Sequence, residues 1–404
     1  EHLWLPSLHP GQDDWQQLLQ SLGELYVRGL PVDWSSFERD YQRRRLPLPT
    51  YPWQQQRYWV DTADIVHRKT RLLSTTNNSA SSLHPLLGRQ LELAGNSQQI
   101  YFESQISQEV PAFLADYLIY DKAIVPAAAY LEMAYSAGVS VFKTNNLVVE
   151  EVLIQQPLIL PKDYLKTIQV ILAQEGTLKY SFQIFSLNQL DEDNSKPSWT
   201  LHATGKVLVA EKDQQIAQTN LVTWQTRCSE EILVPQYYQQ WRDYSIDYGS
   251  SFQALKQIWR SPQASQKDQS TGEALGEVRL PEALLLEAGD YQLHPVLLDA
   301  CFQVVGATFS DLGKENIYLP VSVKRLQVYS RPHLCLWSYA QVHPVNSSNQ
   351  QTLSADVRLF AQDGQVIAVV EGLQFKRANR EVLLGSTQQS LSDWLYKVEW
   401  RPQV

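Results

Sequence analysis

Apolar residues recur at helical spacing near the start of the chain. The segment DDWQQLLQSLGELYVRG predicts an amphipathic helix. Its apolar face consists of Trp15, Leu18, Leu19, Leu22 and Leu25. Gly29 and Pro31 come directly after this face, and we expect them to end the helix.

Two further helices are predicted later in the chain. PAAAYLEMAYSAGVSVF runs from Pro126 to about Phe142, and HPVLLDACFQVVGATF runs from His294 to Phe309. Each opens with a proline, which is favourable in the first helical turn because its missing N–H would have no partner there. The second helix is apolar on nearly every side, which indicates that it is buried.

Segments with strand-like patterns follow each of these two helices. LVVEEVLIQQPLIL and TIQVILAQ come after the first, and LCLWSYAQVHP, LSADVRLFAQDG and QVIAVVEGLQFKR come after the second. The last two predict a hairpin with Asp363-Gly364 at its turn. Because a buried helix followed by antiparallel strands occurs twice, we expect two similar α+β lobes side by side.

The first eighty residues have the composition of a small unit followed by a linker. Residues 1–60 end in RRRLPLPTYPWQQQRYWV, whose prolines and aromatic residues predict an extended segment that lies along a neighbouring domain. Residues 61–82 are rich in Ser, Thr and Asn, which is typical of a flexible linker. The main globular unit is predicted to begin near His84.

Composition and charge narrow the class of protein. The chain has 404 residues, of which 44% are hydrophobic and 19% charged, as in ordinary globular proteins. Its net charge of -9 argues against a nucleic-acid partner or an anionic membrane. No apolar run is long enough to span a membrane, and the opening EHLWLPSLHP does not resemble a signal peptide. A start without methionine and an end at RPQV are expected of a piece of a longer chain.

The three cysteines add no chemistry to this picture. Cys228, Cys301 and Cys335 are far apart in the sequence and lack the spacing of a metal site or a disulfide framework. We therefore expect no bound metal. Free cysteines also favour a reducing compartment, and we predict a cytoplasmic location.

Six short segments carry recognisable motifs in a fixed order. They are LPTYPWQQQRYWV at 48–60, HPLLG at 84–88, YGSSF at 248–252, LHPVLLDACFQ at 293–303, LPVSVKRL at 319–326 and LYKVEWRP at 395–402. The first resembles the tail of an acyltransferase domain, and the last resembles the entry to a reductive region. The four between them resemble the dehydratase domain of modular polyketide synthases, including its YGxxF, DxxxQ and LPFS-type motifs.

The resemblance implies a fold and a domain plan. The fold would be α+β of the double-hotdog type, with two lobes, each an antiparallel sheet wrapped round a long helix, and the active site between them. The plan would be a post-acyltransferase segment at 1–60, a flexible linker at 61–82, lobes at 83–228 and 229–380, and a linker to the reductive region at 381–404.

The resemblance also implies partners. The substrate would arrive on the phosphopantetheine arm of an acyl carrier domain, so no cofactor would bind directly to this chain. Neighbouring synthase domains and a second copy of the chain, in a homodimer, would be its other contacts.

The family's first catalytic motif, HxxxGxxxxP, is altered in this chain. The matching segment is YLIYDKAIVP, in which Tyr117 occupies the histidine position and Asp121 the glycine position, while Pro126 is retained. In the family the histidine removes the α-proton of a β-hydroxyacyl thioester, and the aspartate of DxxxQ protonates the departing hydroxyl. The resemblance assigns that aspartate to Asp299, with Gln303 one helical turn later.

A phenol is a poor substitute for an imidazole as a base. Tyrosine titrates near 10 and histidine near 6.5, a difference of roughly 3.5 units or about 4.8 kcal/mol in proton affinity. Only about one unperturbed tyrosine in a thousand is ionised at pH 7. Burial without a neighbouring cation would raise the pKa of Tyr117 further. We therefore expect ordinary dehydration to be severely impaired.

The other candidate residues have structural alternatives. Asp121 is interpreted as a turn residue that tolerates a left-handed backbone, with a second possible role as a base or as a partner of Tyr117. Pro126 and the amides of Ala127 to Ala129 are candidates for binding the thioester oxygen at a helix N-terminus. Tyr248 and Gly249 are expected to form pocket wall. His294 precedes Asp299 and is interpreted as part of the helix entry.

Four functions remain open. The first, and the favoured one, is a dehydratase-like domain that no longer dehydrates and is kept as a spacer and dimer contact. The second is an active variant that shifts a double bond, assists a cyclisation or dehydrates slowly. The third is a non-catalytic module that docks an acyl carrier domain or holds the growing chain. The fourth is a competent dehydratase that uses Tyr117 or Asp121 as its base.

Overall fold

A computed structural model describes most of the chain. The described residues are 3–41, 84–94, 98–188, 198–211, 221–262, 272–309, 317–343, 352–378, 380 and 383. The chain divides into two compact units, residues 1–79 and 80–404. The predicted linker at 61–82 lies outside the described residues, as do the motif segments at 48–60 and 395–402.

The first unit contains the predicted amphipathic helix. Helix α1 spans Asp14–Val27 and is followed by a short helix α2 at Trp34–Phe37. Asp13 caps α1 by accepting hydrogen bonds from two backbone N–H groups of the first turn. Gly29 follows the end of α1 with a φ of +85°, so the prediction that it ends the helix is confirmed.

The second unit begins with a set of strands around one buried helix, which we call lobe 1. Its strands are β1 (Arg89–Leu91), β2 (Gln99–Ile106), β3 (Tyr117–Ile119), β4 (Lys122–Ala123), β5 (Leu147–Ile154), β6 (Lys166–Gly176), β7 (Lys179–Leu187) and β8 (Trp199–Val209). Helix α3 spans Ala127–Phe142, as the sequence predicts, and is buried from Ala127 to Gly138. Gly138 is required here, because a Cβ would lie 2.5 Å from Val207 on β8.

A second set of strands surrounds another buried helix, and we call it lobe 2. Its helices are α4 (Leu221–Arg227), α5 (Val234–Asp243) and α6 (Pro295–Gly306). Its strands are β9 (Glu230–Ile232), β10 (Ile246–Tyr248), β11 (Leu255–Arg260), β12 (Glu273–Arg279), β13 (Ile317–Val328), β14 (Cys335–His343), β15 (Thr352–Phe360) and β16 (Val366–Ala378). Helix α6 is buried from Pro295 to Val305, which confirms the expectation from its apolar sequence.

The two lobes share one antiparallel sheet. Among the described residues thirteen strands follow the order β1-β2-β6-β7-β8-β5-β13-β16-β15-β14-β12-β11-β9. The lobes meet where β5 pairs with β13, with Val149 opposite Leu326 and Val152 opposite Val323. Helix α3 packs on the lobe 1 strands and α6 on the lobe 2 strands, and the two helices touch. This arrangement is a double hotdog, and the predicted fold is confirmed.

A small second sheet crosses between the lobes. It has the order β10-β3-β4, so strand β10 of lobe 2 pairs with the β3–β4 hairpin of lobe 1. The β3–β4 turn consists of Tyr120 and Asp121, whose φ values of +49° and +61° are both left-handed, as a tight two-residue hairpin requires. The interpretation of Asp121 as a left-handed turn residue is confirmed.

The hairpin predicted near the end of lobe 2 is also present. Strands β15 and β16 pair with Phe360 opposite Val366, and Gly364 has a φ of +86° in the connecting turn. Asp363 and Gly364 lie in this turn, as predicted. No helix in the described part of the chain is both long and apolar enough to cross a bilayer.

Candidate active site

Tyr117 lies in a buried aromatic cluster at the start of β3. It is 5% exposed, and its register partner across the small sheet is Tyr248 on β10. The two rings meet edge to face with centroids 5.6 Å apart, and the ring of Phe252 lies 5.1 Å from that of Tyr117. The segment YGSSF of lobe 2 therefore forms a wall against the first motif of lobe 1.

Asp299 and Gln303 lie one turn apart on the buried helix α6. The Gln303 side-chain amide donates hydrogen bonds to Asp299 Oδ2 at 3.0 Å and to the Phe252 carbonyl at 3.2 Å. Its oxygen accepts a hydrogen bond from the Tyr238 hydroxyl at 3.1 Å. Both polar atoms of the Gln303 side chain are thus held in place by three hydrogen bonds, and Gln303 fixes the orientation of the Asp299 carboxyl.

A pocket joins these residues from both lobes. It is a cleft open to solvent, with about 490 Å³ of empty space when the space at its mouth is included. Its polar wall includes Tyr117 from lobe 1 and Tyr248, Asp299 and Gln303 from lobe 2. The rest of the lining is mainly apolar: Trp241, Ile246, Phe302, Val305, Phe309, Leu319, Pro320, Leu353 and Phe375. A mainly apolar lining with a few polar side chains is typical of ligand-binding pockets.

Burial controls the pKa values of the Asp299 carboxyl and the Tyr117 hydroxyl. Burial raises the pKa of Asp299 to about 7, although the hydrogen bond from Gln303 partly offsets the rise. Burial, and then the nearby Asp299, raises the pKa of Tyr117 well above its ordinary value of 10.0. At neutral pH Asp299 can therefore accept or release a proton. Tyr117 remains a neutral phenol that can only donate or accept hydrogen bonds.

Four of the predicted site residues lie outside the pocket lining. Asp121 is exposed at the β3–β4 turn. Pro126 and Ala127 are buried at the start of α3 but do not line the pocket. Gly249 allows the chain to approach Asp116 closely, since a Cβ at this position would lie 2.6 Å from a carboxylate oxygen. Asp116 in turn accepts a 2.8 Å hydrogen bond from the Ser251 N–H.

No histidine of the described residues lines the pocket. His294, the nearest in sequence to Asp299, caps α6 by accepting a 3.2 Å hydrogen bond from the Val296 N–H. His202 bonds Ser186 at 2.7 Å inside lobe 1, and His84 bonds Glu132 at 2.9 Å. The interpretation of His294 as part of the helix entry is confirmed. The described residues also contain no cluster of three or more metal-ligating side chains.

Sequence reasoning missed the residues that support the site from α5. The Tyr238 hydroxyl bonds the Gln303 side chain, and the Tyr237 hydroxyl bonds the Gln303 carbonyl. Both lie in VPQYYQQWRD, together with the pocket residue Trp241. The available signal was the helical spacing of three aromatic residues in a polar segment. Glu132, a single carboxylate in the apolar helix α3, was a second overlooked signal.

The fold and this pocket define the chain as a double-hotdog domain with a carboxyl-bearing cleft between its lobes. Residues 84–187 match the family model of the polyketide synthase dehydratase domain, and residues 216–385 match the model of the polyketide synthase dehydratase N-terminal domain. The dehydratase domain from the CurF module of curacin polyketide synthase is 35% identical, with a TM-score of 0.65, and the match covers 74% of this chain and 100% of that domain. The chain belongs to the dehydratase domains of modular polyketide synthases.

Two further matches place the chain among its relatives. An inactive mutant of the CurK dehydratase, in which a histidine is replaced by phenylalanine, is 33% identical with a TM-score of 0.65, and the match covers 74% of this chain and 100% of that domain. Polyketide synthase GfsA of Streptomyces halstedii is 28% identical over 402 residues, which are 98% of this chain. The chain spans only 5% of the length of GfsA.

Proposed function

We propose that this domain retains the dehydratase fold but is impaired or inactive in dehydrating β-hydroxyacyl chains, because Tyr117 stands in place of the catalytic histidine. The observation that carries the proposal is the composition of the pocket. Tyr117 and Asp299 line it from opposite lobes, and no described histidine lines it with them.

The chemistry of dehydration requires two groups with different tasks. A base must remove the α-proton near neutral pH, and an acid must protonate the hydroxyl as it leaves. Asp299, whose pKa burial raises to about 7, suits the second task. Tyr117 does not suit the first, since burial raises its pKa above 10.0 and each added unit makes the phenolate about tenfold rarer.

The inactive CurK mutant gives independent support. An aromatic residue replaces a histidine in that relative, which is an inactive mutant. A tyrosine adds a hydroxyl to such a ring but no base of useful strength at pH 7. We expect the same loss of dehydration here.

The proposal includes a substrate and partners. The apolar pocket lining suits an acyl chain, which would be carried on the phosphopantetheine arm of an acyl carrier domain. Neighbouring synthase domains and a second copy of this domain would be its structural partners. The domain would bind no cofactor of its own, and its setting would be the cytoplasm.

A second candidate function is a shift of a double bond, and the titration of Asp299 favours it. Such a shift needs one base and hydrogen-bond donors at the thioester oxygen, whereas dehydration needs a base and a separate acid. The Asp299 carboxylate would take the α-proton of a β,γ-enoyl thioester and return it to the γ-carbon. The phenols of Tyr117 and Tyr248 would donate hydrogen bonds to the intermediate enolate oxygen.

The test is incubation of the full 404-residue chain with carrier-bound β-hydroxyacyl and β,γ-enoyl substrates. Intact mass detects loss of water from the first, and ultraviolet absorbance of the conjugated thioester detects isomerisation of the second. We expect no loss of water. Dehydration by the unaltered chain, whether it is lost in Tyr117→Phe or in Asp121→Asn, would overturn the proposal. Isomerisation that disappears in Asp299→Asn would establish the second function.

A further inference from the structure

Glu132 is a fully buried carboxylate in the apolar helix α3. Its exposed fraction is 0%, and the residues around it on α3 are mainly alanine, leucine and aromatic. A carboxylate in such surroundings is costly unless several hydrogen-bond donors surround it. The site described above does not use Glu132, so its retention needs a separate physical reason.

Four donors converge on the Glu132 carboxylate. Oε1 accepts hydrogen bonds from His84 Nε2 at 2.9 Å, from the Ser136 hydroxyl at 2.9 Å and from the Gln292 N–H at 2.7 Å. Oε2 accepts one from the Leu293 N–H at 2.8 Å. Two of these donors are side chains of lobe 1, and two are backbone groups of lobe 2, so the carboxylate joins the lobes.

The tautomer of His84 follows from its other hydrogen bonds. Its Nδ1 lies 3.2 Å from the Leu86 N–H and 3.0 Å from the Leu87 N–H and accepts from both. The neutral ring then carries its proton on Nε2, which donates to Glu132. The turn HPLLG thus aims one side chain at the carboxylate. The His84 ring also packs edge to face on Tyr291, 5.4 Å away, just before the bonded backbone segment.

The two backbone donors of lobe 2 lead directly into helix α6. Leu293 precedes His294, whose ring caps the first turn of α6 through the Val296 N–H. Asp299 lies in the next turn of the same helix. A displacement of residues 292–293 would therefore move the start of α6, and with it the Asp299 carboxyl in the pocket.

We propose that Glu132 is a positioning residue: bonded by His84 and Ser136 in lobe 1, it holds the N-terminal entry of α6 and so sets where Asp299 faces Tyr117. The inference rests on Asp299 being the working carboxyl of the proposed function. It does not require turnover, because hydrogen exchange at the start of α6 and the titration of Asp299 can be measured without substrate.

The test compares five full-length proteins: the unaltered chain, Glu132→Gln, Ser136→Ala, Ile184→Ala and, as the reference for the carboxyl band, Asp299→Asn. Glutamine keeps the size of Glu132. It replaces one carboxylate oxygen, which accepts hydrogen bonds, by an NH2 group that can only donate and would face other donors. Ile184 is fully buried on β7 and far from these contacts in the sequence, so its truncation supplies a control with lowered thermal stability. Two quantities are measured. Mass spectrometry follows amide hydrogen exchange, and infrared spectroscopy follows the titration of the Asp299 carboxyl, whose band is identified by its loss in Asp299→Asn.

We expect Glu132→Gln to speed exchange in residues 292–299 by about tenfold or more, because two backbone donors lose a charged acceptor. The titration midpoint of Asp299 should move from its value in the unaltered chain. Each protein is measured at the same interval below its own melting temperature. Under that condition Ile184→Ala should leave the exchange rate in residues 292–299 and the titration midpoint of Asp299 unchanged. Equal exchange and an unmoved midpoint in Glu132→Gln and the control would overturn the proposal.

Ser136→Ala keeps the inference testable if Glu132→Gln does not fold. It removes one of four donors and should raise exchange in the same segment by about threefold. No change in that segment would contradict the proposal. Failure of the proposed function would instead appear as dehydration by the unaltered chain, which these measurements do not detect.

Discussion

Tyr117 and Tyr248 are register partners across the small sheet, with their ring centroids 5.6 Å apart. The pair joins a strand of lobe 1 to a strand of lobe 2 and places residue 117 against the YGSSF segment. Because β3 has only three residues, all of them paired with β10, the adjoining β3–β4 turn helps to set the orientation of residue 117. This turn therefore bears on the dehydration activity expected of variants at residue 117.

We predict that Tyr117→His alone restores little dehydration. Asp121 holds a φ of +61° in the same hairpin, so residues 117 and 121 shape one turn. The double variant Tyr117→His with Asp121→Gly should therefore be more active than the single variant. Rates are measured with carrier-bound β-hydroxyacyl substrate. A single variant as fast as the double one would contradict the prediction.

Asp299 should make the stability of the domain fall as the pH rises through 7. Burial raises its folded pKa to about 7 from 3.8, so its contribution to stability is present in full below pH 3.8 and is lost above 7. A rise of about 3 units corresponds to at most about 4 kcal/mol. The free energy of unfolding in urea should therefore decline relative to that of Asp299→Asn between pH 5 and 8. If the two proteins gave parallel curves of unfolding free energy against pH, burial would not have shifted the pKa of Asp299.

Gln303→Leu should destabilise the domain by about 2 kcal/mol. The change leaves the Phe252 carbonyl without the amide donor and removes the acceptor of the Tyr238 hydroxyl. It should also raise the pKa of Asp299, because the hydrogen bond that lowers it is lost. Chemical unfolding measures the first effect, and the pH dependence described for Asp299→Asn measures the second.

Tyr238→Phe is the matched control for this variant. It removes the hydroxyl that donates to the Gln303 amide oxygen and accepts from the Leu255 N–H, so it should also cost about 2 kcal/mol. Because Gln303 stays bonded to Asp299 and Phe252, the pKa of Asp299 should rise in Gln303→Leu only. An equal rise of that pKa in both variants would contradict the prediction.

Gly249→Ala should destabilise the domain by about 1–3 kcal/mol. The new Cβ would lie 2.5 Å from Asp116 Cγ and would displace the carboxylate that accepts from the Ser251 N–H. Gly289→Ala is the control, since no atom outside its neighbours lies within 4 Å of a Cβ built there. In thermal melting, the midpoint temperature of Gly249→Ala should be lower than that of the unaltered chain, and that of Gly289→Ala should be unchanged. Similar midpoints would mean that Asp116 moves aside freely.

The sequence alone determined helices α1, α3 and α6, the β15–β16 hairpin and the fold class. Helices α1, α3 and α6 follow from the spacing of apolar residues and from proline at the first helical turn, both of which depend on neighbours along the chain. The left-handed turn at Asp121 is likewise local, because the φ preference of one residue decides it. The motifs around Tyr117 and Asp299 supplied the family.

Only the tertiary structure decided which side chains meet in the cleft. The pairing of β5 with β13 and of Tyr117 with Tyr248 joins residues that are more than a hundred positions apart, and no periodicity encodes such contacts. The bonds from α5 to Gln303 and from lobe 2 to Glu132 are of the same long-range kind. The raised pKa of Asp299 arises from burial, which exists only once both lobes have packed around the carboxyl.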